Sequence, residues 1–283
     1  MELDGRVVVV TGGTRGVGAG IAGAFRRAGA RVVVCARRPP DPDPDAPWPG
    51  GGGHRDFHAV DLRDPAAVEE FFATVARRYG RLDTLVNNAG GTPFRPLAEG
   101  GPARHARVIG LNLIAPLTAS IAAYRLLRAT GGSIVMVGSV SGGRPSPGTA
   151  AYGAAKAGLE GLARSMAVEW APEVRVNTLV LGMVRTEAAA PHYGDEAGAA
   201  AVGRTVPLGR LAEPDEVGEA AVFLASGRAA YISGAALHLH GGGERPAFLD
   251  AATANGASGT PGTAGTPGTA AARTVDRTAD KEA

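Results

Sequence analysis

The sequence is almost without cysteine: Cys35 is the single one in 283 residues. An intrachain disulfide is excluded, and the composition fits a reducing cytoplasm. Cys35 lies inside the apolar run RVVVCA (31–36), a setting that predicts a buried strand thiol rather than a nucleophile. Net charge is nearly missing too. Twenty-nine Lys and Arg against 27 Asp and Glu leave +2, far from the clustered basicity that a nucleic-acid surface requires, so nucleic acid is not expected as a partner. No apolar stretch reaches the ~18 residues that a membrane span needs. The opening MELDGRVVVVTGG carries two early acids and an apolar run too short for the core of a signal peptide. A cytoplasmic chain without membrane contact is expected. Its 45% hydrophobic content and its length suffice to bury a sizeable core.

Two regions lack the pattern of packed structure. Residues 250–283, with GTPGTAGTPGTA inside them, offer little that is large to bury and are expected to form a disordered low-complexity tail. The stretch Arg37 to Asp56, RRPPDPDPDAPWPGGGGHRD, is too rich in Pro and Gly for a helix or a central strand and reads as a surface loop. Its prolines hold Asp41, Asp43 and Asp45 on extended backbone and point the carboxylates apart, which argues against a metal there.

Elsewhere short β-branched runs alternate with helical patterns. RVVVVTGG (6–13) and ARVVVCA (30–36) flank a stretch with Ile21, Phe25 and alanines at helical spacing, a βαβ unit. The alternation continues through FHAVDL, DPAAVEEFFATVARRYG, LDTLVNNAG, a long helix from about 103 to 130, GSIVMVGS, the helix holding Tyr152, VRVNTLVLG, EPDEVGEAAVFLAS and ALHLHGGG. Continuous apolar strands separated by helices imply a parallel sheet covered on both faces. The expected fold is a doubly wound, Rossmann-type α/β sheet of about seven strands, in one domain over residues 1–249.

TGGTRGVG (11–18) follows the first strand and opens the first helix, with Gly12, Gly16 and Gly18 in a GxxxGxG spacing. Glycines there allow a tight turn and close approach of a pyrophosphate to a helix N-terminus, which points to a dinucleotide. An acid that would bond a ribose 2′-hydroxyl at the end of the second strand is missing, because that position is Ala36. Arg37 and Arg38 follow it and Arg15 lies in the glycine turn, so guanidinium groups converge where a 2′-phosphate would sit. NADP(H) is favoured, with NAD(H) possible.

TGGTRGVG, VDL with Asp61, NNAG (87–90), LNL with Asn112, GSVSG with Ser139, YGAAK (152–156) and RVN occur in one order from about residue 3 to 243. Together they resemble the short-chain dehydrogenase/reductase family, in its single-domain Tyr-x-x-x-Lys branch. PLGRLAEPDEVGEAAVFLAS and YISGAALHLHGGG are similar to the family's C-terminal region.

The resemblance implies an oxidoreductase that moves a hydride between a nicotinamide cofactor and a ketone or secondary alcohol. Tyr152 and Lys156, four apart, share one helix face. Tyr152 would be the general acid/base, its pKa lowered by the Lys156 ammonium. Lys156 would also hold ribose hydroxyls, Ser139 would bond the substrate oxygen, and Asn112 would anchor a water on the lysine. The cofactor would lie along Gly12, Thr14, Arg15, Gly16, Val17 and Gly18, then Arg37, then Asp61 and Leu62 with the Asp61 carboxylate on the adenine amino group. Asn88, Ala89 and Gly90 would follow the adenine ribose, and Gly182, Val184 and Thr186 the nicotinamide end. The chain has Leu181 where the family usually has proline, which loosens the expectation at Thr186.

His238 and His240 share a face of the last strand, but no third ligand is visible, so no metal is expected. The segment from Glu187 to Pro207, rich in Ala and Gly, reads as a mobile flap over the substrate. It names no substrate. A largely apolar alicyclic, steroid-derived or acyl-thioester ketone or alcohol is expected, with a 3-oxoacyl-thioester reductase as alternative. A regulatory protein that keeps the cofactor fold without catalysis is the alternative from another class. The resemblance also implies a homotetramer or homodimer, in which the small residues around Tyr152 let helices approach across a two-fold axis.

Overall fold

The computed structural model describes residues 2–39, 56–91, 93–187, 190–244 and 246. By internal contacts the chain divides into Met1–Arg245 and Pro246–Ala283, and all the described helices and strands lie in the first unit. The tail from 250 and residues 40–55 of the Pro-rich loop fall outside the described residues.

Seven strands, β1 (Val7–Thr11), β2 (Arg31–Ala36), β3 (Asp56–Ala59), β4 (Thr84–Asn87), β5 (Ser133–Ser139), β6 (Arg175–Leu181) and β7 (Ala236–Leu239), form one sheet in the order β3-β2-β1-β4-β5-β6-β7. Every pairing is parallel. The chain winds outward from β1 to β3 and returns to lay β4 on the other side of β1. The C-terminal ends of β1 and β4 therefore border the switch point where open α/β sheets bind ligands.

The run of four valines in β1 shows why the strands read as unbroken apolar segments. Side chains alternate faces along a strand. Val7 and Val9 join the core cluster that holds Val68, Phe72, Leu127 and Leu159, while Val8 and Val10 join the one with Ile21, Phe25, Val217 and Leu224. The first face is covered by α2 (Pro65–Tyr79), α5 (Ala115–Thr130) and α6 (Ala150–Glu169), the second by α1 (Gly16–Arg27) and α9 (Pro214–Ala225). Burying each such side chain contributes on the order of 1.5 to 3 kcal/mol, so both halves of the alternation are needed.

Local signals set the helix ends. Asp64 caps α2 by accepting from the Ala66 and Ala67 amides, Pro65 starts it, and Gly80 ends it at φ +68. α1 and α9 cross where Gly20 and Gly218 leave room: a Cβ on Gly20 would stand 2.4 Å from the Pro214 carbonyl carbon, and one on Gly218 2.7 Å from Gly20 O.

The long helix expected over 103–130 is present but is not uniform. A short helix α3 (Leu97–Gly100) precedes α4 (Pro102–Ile109), a π-helical turn at Gly110–Ile114 follows, and α5 completes it. By length and composition alone the 29 residues from Pro102 to Thr130 could cross a membrane. Polar residues such as Asn112, Thr118 and Ser120 interrupt any apolar run in the sequence, and only the averaged hydropathy brings the helix out. Its buried stripe, Ala115, Ala119, Ala123 and Leu127, packs on the sheet.

Candidate active site

At the C-terminal end of β1 the chain turns through Gly12 at φ +64 and enters α1 through Gly16 at φ +52. The Gly12 amide donates to Cys35 O at 2.7 Å, which ties the turn to β2. Gly18 has no space for a side chain: its Cβ would lie 2.1 Å from Gly12 O and 2.5 Å from Asn88 Nδ2. The turn is also fastened to the segment after β4. Thr11 Oγ1 donates to Val86 O at 3.2 Å and accepts from the amides of Asn88 (2.9 Å) and Ala89 (3.0 Å), while Asn88 Nδ2 donates to Thr11 O and Gly12 O. Asn88 and Ala89 were expected to follow a ribose; their visible partners are the backbone and hydroxyl of the glycine turn. Thr11 was missed as a site residue, although it is the first letter of the motif.

The first turn of α1 has no side-chain cap and no acidic residue of its own. A carboxylate reaches it from elsewhere in the chain: the Gly16 amide donates to Glu187 Oε1 at 3.4 Å. An anion is thus drawn to the open amides of this helix end, as its dipole and unpaired N–H groups dictate. That stand-in carboxylate and the tight Gly18 cradle fit a pyrophosphate.

Arg15, the N-cap residue of α1, and Arg37 and Arg38, just past β2, are all exposed at this edge of the sheet. One strand further, Asp61 follows β3. Arg63 holds it with Nε on Oδ1 at 2.9 Å, Nη2 on Oδ2 at 2.5 Å and its own amide on Oδ1 at 3.1 Å. The hydrogen bonds from Arg63 bring the Asp61 carboxyl down to about 2, and the Arg37 charge adds to the effect. Sequence reading missed Arg63, and only its place two residues after an expected site residue could have pointed to it. Cys35 is fully buried and burial pushes its thiol up to about 12, so it is not a nucleophile.

Ser139 ends β5 on extended backbone and caps the short 3₁₀ turn Val140–Gly142 by accepting from the Ser141 amide. Tyr152, in the first turn of α6, brings its phenol next to that hydroxyl. Four residues on, Lys156 is 3% exposed, with Nζ 5.5 Å from the centre of the Tyr152 ring and donating to Val137 O at 2.6 Å. The structure therefore brings Ser139, Tyr152 and Lys156 together. Their electrostatics depart from the expectation. Burial pushes the Tyr152 phenol above the ordinary tyrosine range, with the nearby Ser139 hydroxyl pulling the other way, and the Lys156 ammonium is not what sets it. Desolvation acts on the lysine as well, bringing it down to about 8. In the protein alone the tyrosine is a neutral phenol, poised to give a proton.

Asn112 sits fully buried inside the π-helical turn. Both amide hydrogens are taken, by Gly91 O at 3.0 Å and Val108 O at 2.9 Å, and Oδ1 accepts from the Gly91 amide at 2.9 Å. The side chain clamps the end of the NNAG segment, where the resemblance implies a water anchor. Gly90 lies between Asn112 and Lys156: a Cβ there would lie 2.5 Å from Asn112 Oδ1 and 3.6 Å from Lys156 Nζ. The small residues around Tyr152 serve packing within the chain. Gly153 faces Ser141 O, Gly158 faces Leu113, and Gly142 faces the Ala157 amide.

On the opposite side of the cleft Leu181 stays inside β6 and in the core, where proline was expected from the family, and the Gly182 amide donates to Leu239 O at 2.9 Å. A Cβ on Gly182 would strike His240 at 2.8 Å. Val184 pairs with Ala212 in an isolated bridge, and Thr186 lies against Gly16, its Cγ2 3.4 Å from where a Cβ there would be. The segment expected to be a flap contains two helices, α7 (Ala190–Tyr193) and α8 (Glu196–Thr205). Alanine favours helix more than mobility; Asp195 caps α8 by accepting from the Gly198 amide, and Arg185 pairs with Glu196 at 2.8 Å. An open cavity of about 240 Å³ borders this side, with Val140, Val180 and Met183 on its walls and Arg144, paired with Glu244, at its rim. His238 and His240 also line it, their rings 5.1 Å apart. Among the described residues no three His, Cys, Asp or Glu side chains are grouped to hold a metal.

A doubly wound parallel sheet, with a glycine turn at its switch point and a Ser, Tyr and Lys cluster on the far side of the same crevice, defines a nicotinamide-dependent oxidoreductase. Residues 12–244 match the family model described as Enoyl-(Acyl carrier protein) reductase. The chain is 38% identical over 245 residues to D-threitol dehydrogenase of Mycolicibacterium smegmatis, covering 85% of this chain and 94% of that protein. It is 36% identical over 244 residues to 3-oxoacyl-[acyl-carrier-protein] reductase FabG of Vibrio cholerae, covering 86% and 98%. The ligand-free structure of Thermoplasma acidophilum aldohexose dehydrogenase superimposes with a TM-score of 0.78 at 29% identity, over 85% of this chain and 94% of that one. The chain belongs to the short-chain dehydrogenase/reductase family, and its reaction lies between a ketone and a secondary alcohol.

Proposed function

We propose that this oxidoreductase uses NADP(H) in preference to NAD(H) and acts on a ketone or secondary alcohol with a largely apolar body. The preference rests on the absence of an acid at Ala36 and on the exposed Arg15, Arg37 and Arg38 beside it. Gly12, Thr14, Gly16, Val17 and Gly18 would hold the pyrophosphate. Asp61, with Leu62 anchoring its turn, would accept from the adenine amino group, and Gly182, Val184 and Thr186 would meet the nicotinamide. When bound, the nicotinamide supplies or accepts the hydride.

The meeting of the Ser139 hydroxyl and the Tyr152 phenol, with Lys156 Nζ 5.5 Å from the centre of that ring, is the observation that carries the catalytic reading. It sets two hydroxyls side by side, so that one carbonyl oxygen can meet both. In the direction of reduction the Tyr152 phenol gives its proton to that oxygen while Ser139 holds it. Lys156, close under the Tyr152 ring, would keep the ribose hydroxyls in place. Asn112 and Lys156 leave no room for a side chain at Gly90 between them.

Val140, Val180 and Met183 offer the cavity beside the site an apolar wall for a substrate body, while Arg144, Glu160, His238, His240 and Glu244 line it with polar groups. The 36% identity to a 3-oxoacyl-[acyl-carrier-protein] reductase is compatible with the thioester alternative, as the 38% identity to D-threitol dehydrogenase is with a sugar alcohol. Initial rates of both reduced nicotinamides with cyclic and steroidal ketones, 3-oxoacyl thioesters and sugars test the proposal together. NADPH should exceed NADH in kcat/KM by at least about tenfold, and equal values would refute the preference. Turnover of none of the ketones would favour the non-catalytic reading.

The pH dependence has a definite sign. Reduction needs the Tyr152 phenol protonated and Lys156 charged. Both forms persist at low pH and are lost as pH rises, the lysine first, at about 8. From about pH 6 to about pH 9, kcat/KM for reduction should be level and then fall. A profile that climbs through that range would contradict these roles.

Location and assembly follow the same reading: a cytoplasmic homodimer or homotetramer with a small-molecule substrate. Ile114 and Ile121 on the long helix and Val168 on α6 are large apolar side chains left exposed on one chain, which is the pattern of helices that pair across a two-fold axis.

A further inference from the structure

We propose that Arg63 is a positioning residue for the cofactor's adenine, holding the Asp61 carboxylate in the one orientation from which it accepts the adenine amino group. The proposal rests on the reading of Asp61 as the adenine contact, and adds to it how an exposed carboxylate is made selective.

The turn that carries the pair is pinned at both ends. The Val60 amide donates to Ala36 O at 3.0 Å, so sheet pairing runs one residue past β3 and Asp61 begins where it stops. Leu62, 7% exposed, anchors the turn in the core, and the Asp64 amide donates to Asp61 O at 3.0 Å to close it. Asp64 then caps α2. Arg63 is thus held between a strand end and a helix start, and its backbone has little freedom.

An aspartate side chain has a broad second torsion, so an exposed carboxylate samples many planes. Arg63 removes that freedom with a fork, Nε on one oxygen and Nη2 on the other, while its own amide takes a further position on Oδ1. Bidentate guanidinium pairing fixes the carboxylate plane as a single bond cannot. One acceptor position is left, on Oδ2, for a further donor. The side chains are 42% and 38% exposed, and a pair of that kind adds little to stability. Its consequence is orientation.

The chemistry to be recognised is a donor. Adenine offers an exocyclic amino group; hypoxanthine at the same place offers a carbonyl, which a carboxylate repels. The ratio of affinities for NADPH and its hypoxanthine analogue therefore reads the Asp61 contact alone, and it is measured by equilibrium titration without turnover. In the unmodified protein NADPH should bind about tenfold more tightly than the analogue. Arg63→Ala should reduce that ratio to about twofold, chiefly by weakening NADPH, with thermal unfolding nearly unchanged. Arg63→Lys keeps the charge without the fork and should fall between them.

Asp61→Ala is the companion variant. If it abolishes the ratio while Arg63→Ala retains it, Asp61 reads the adenine and the role given to Arg63 is wrong. If Asp61→Ala leaves the ratio intact, the reading of Asp61 fails and the proposal goes with it. If Arg63→Ala weakens NADPH and its analogue equally while sparing NADH, Arg63 serves the 2′-phosphate and the proposal is overturned.

Discussion

Tyr152→Phe should leave cofactor binding within about twofold of the parent and lower kcat for ketone reduction by about a thousandfold or more, in keeping with the removal of a positioned general acid. The substitution deletes one oxygen. The ring that lies 5.5 Å from Lys156 Nζ remains, and Lys156 keeps its bond to Val137 O, so the fold has no reason to change. What disappears is the phenol beside the Ser139 hydroxyl. Ser139 alone cannot replace it, because an unassisted hydroxyl is too weak an acid to protonate an alkoxide as it forms. Titrating the cofactor by its fluorescence and measuring single-turnover reduction separates binding from proton transfer. A variant with normal affinity and undiminished turnover would remove Tyr152 from the chemistry. One with neither binding nor turnover would show that the hydroxyl has a structural role.

The fold was legible because its strands carry apolar residues on both faces, and Val7 to Val10 split evenly between the two core clusters. The order of motifs likewise marked out the switch point, where Thr11, Gly12 and Asn88 meet. Less legible was how side chains are used once they arrive. Asn112 stands at its expected position, yet both amide hydrogens go to backbone carbonyls, a fact that depends on a π-helical turn no periodicity reveals. The charge on Lys156 was expected to lower the Tyr152 pKa, but burial acts on both groups and dominates; burial is a property of the assembled sheet and not of a four-residue spacing. The segment expected to be a flap carries two helices, α7 and α8, that its alanines favour and its sequence reading did not foresee. Arg63 and Glu187 lie beside recognised motifs without belonging to them, and only the folded chain turns one onto Asp61 and the other onto the start of α1.

Gly18→Ala should have the second large effect, on the cofactor cradle and not on chemistry. A Cβ at residue 18 would stand 2.1 Å from Gly12 O and 2.8 Å from Gly12 C, and both are backbone atoms that no rotamer change can withdraw. Either the glycine turn or the first turn of α1 must shift by about an ångström, which for overpacking of this kind costs about 1 to 3 kcal/mol. Alanine's better helix propensity returns less than about 1 kcal/mol of that. The same displacement pushes on Asn88 Nδ2, which would lie 2.5 Å away, and so loosens the bonds that tie the glycine turn to the segment after β4. The amides proposed to face the pyrophosphate would lose their alignment even if the chain still folds. Affinity for NADPH should drop by at least about tenfold, and the melting temperature by about 2 to 8 °C. Gly143→Ala is the control: its Cβ would meet nothing closer than Val140 O at 3.9 Å, so stability and cofactor affinity should both hold. Calorimetric titration and thermal unfolding of the two variants decide between a cradle built by close backbone approach and a glycine that is merely tolerated. Unchanged affinity in Gly18→Ala would mean that the pyrophosphate is held elsewhere.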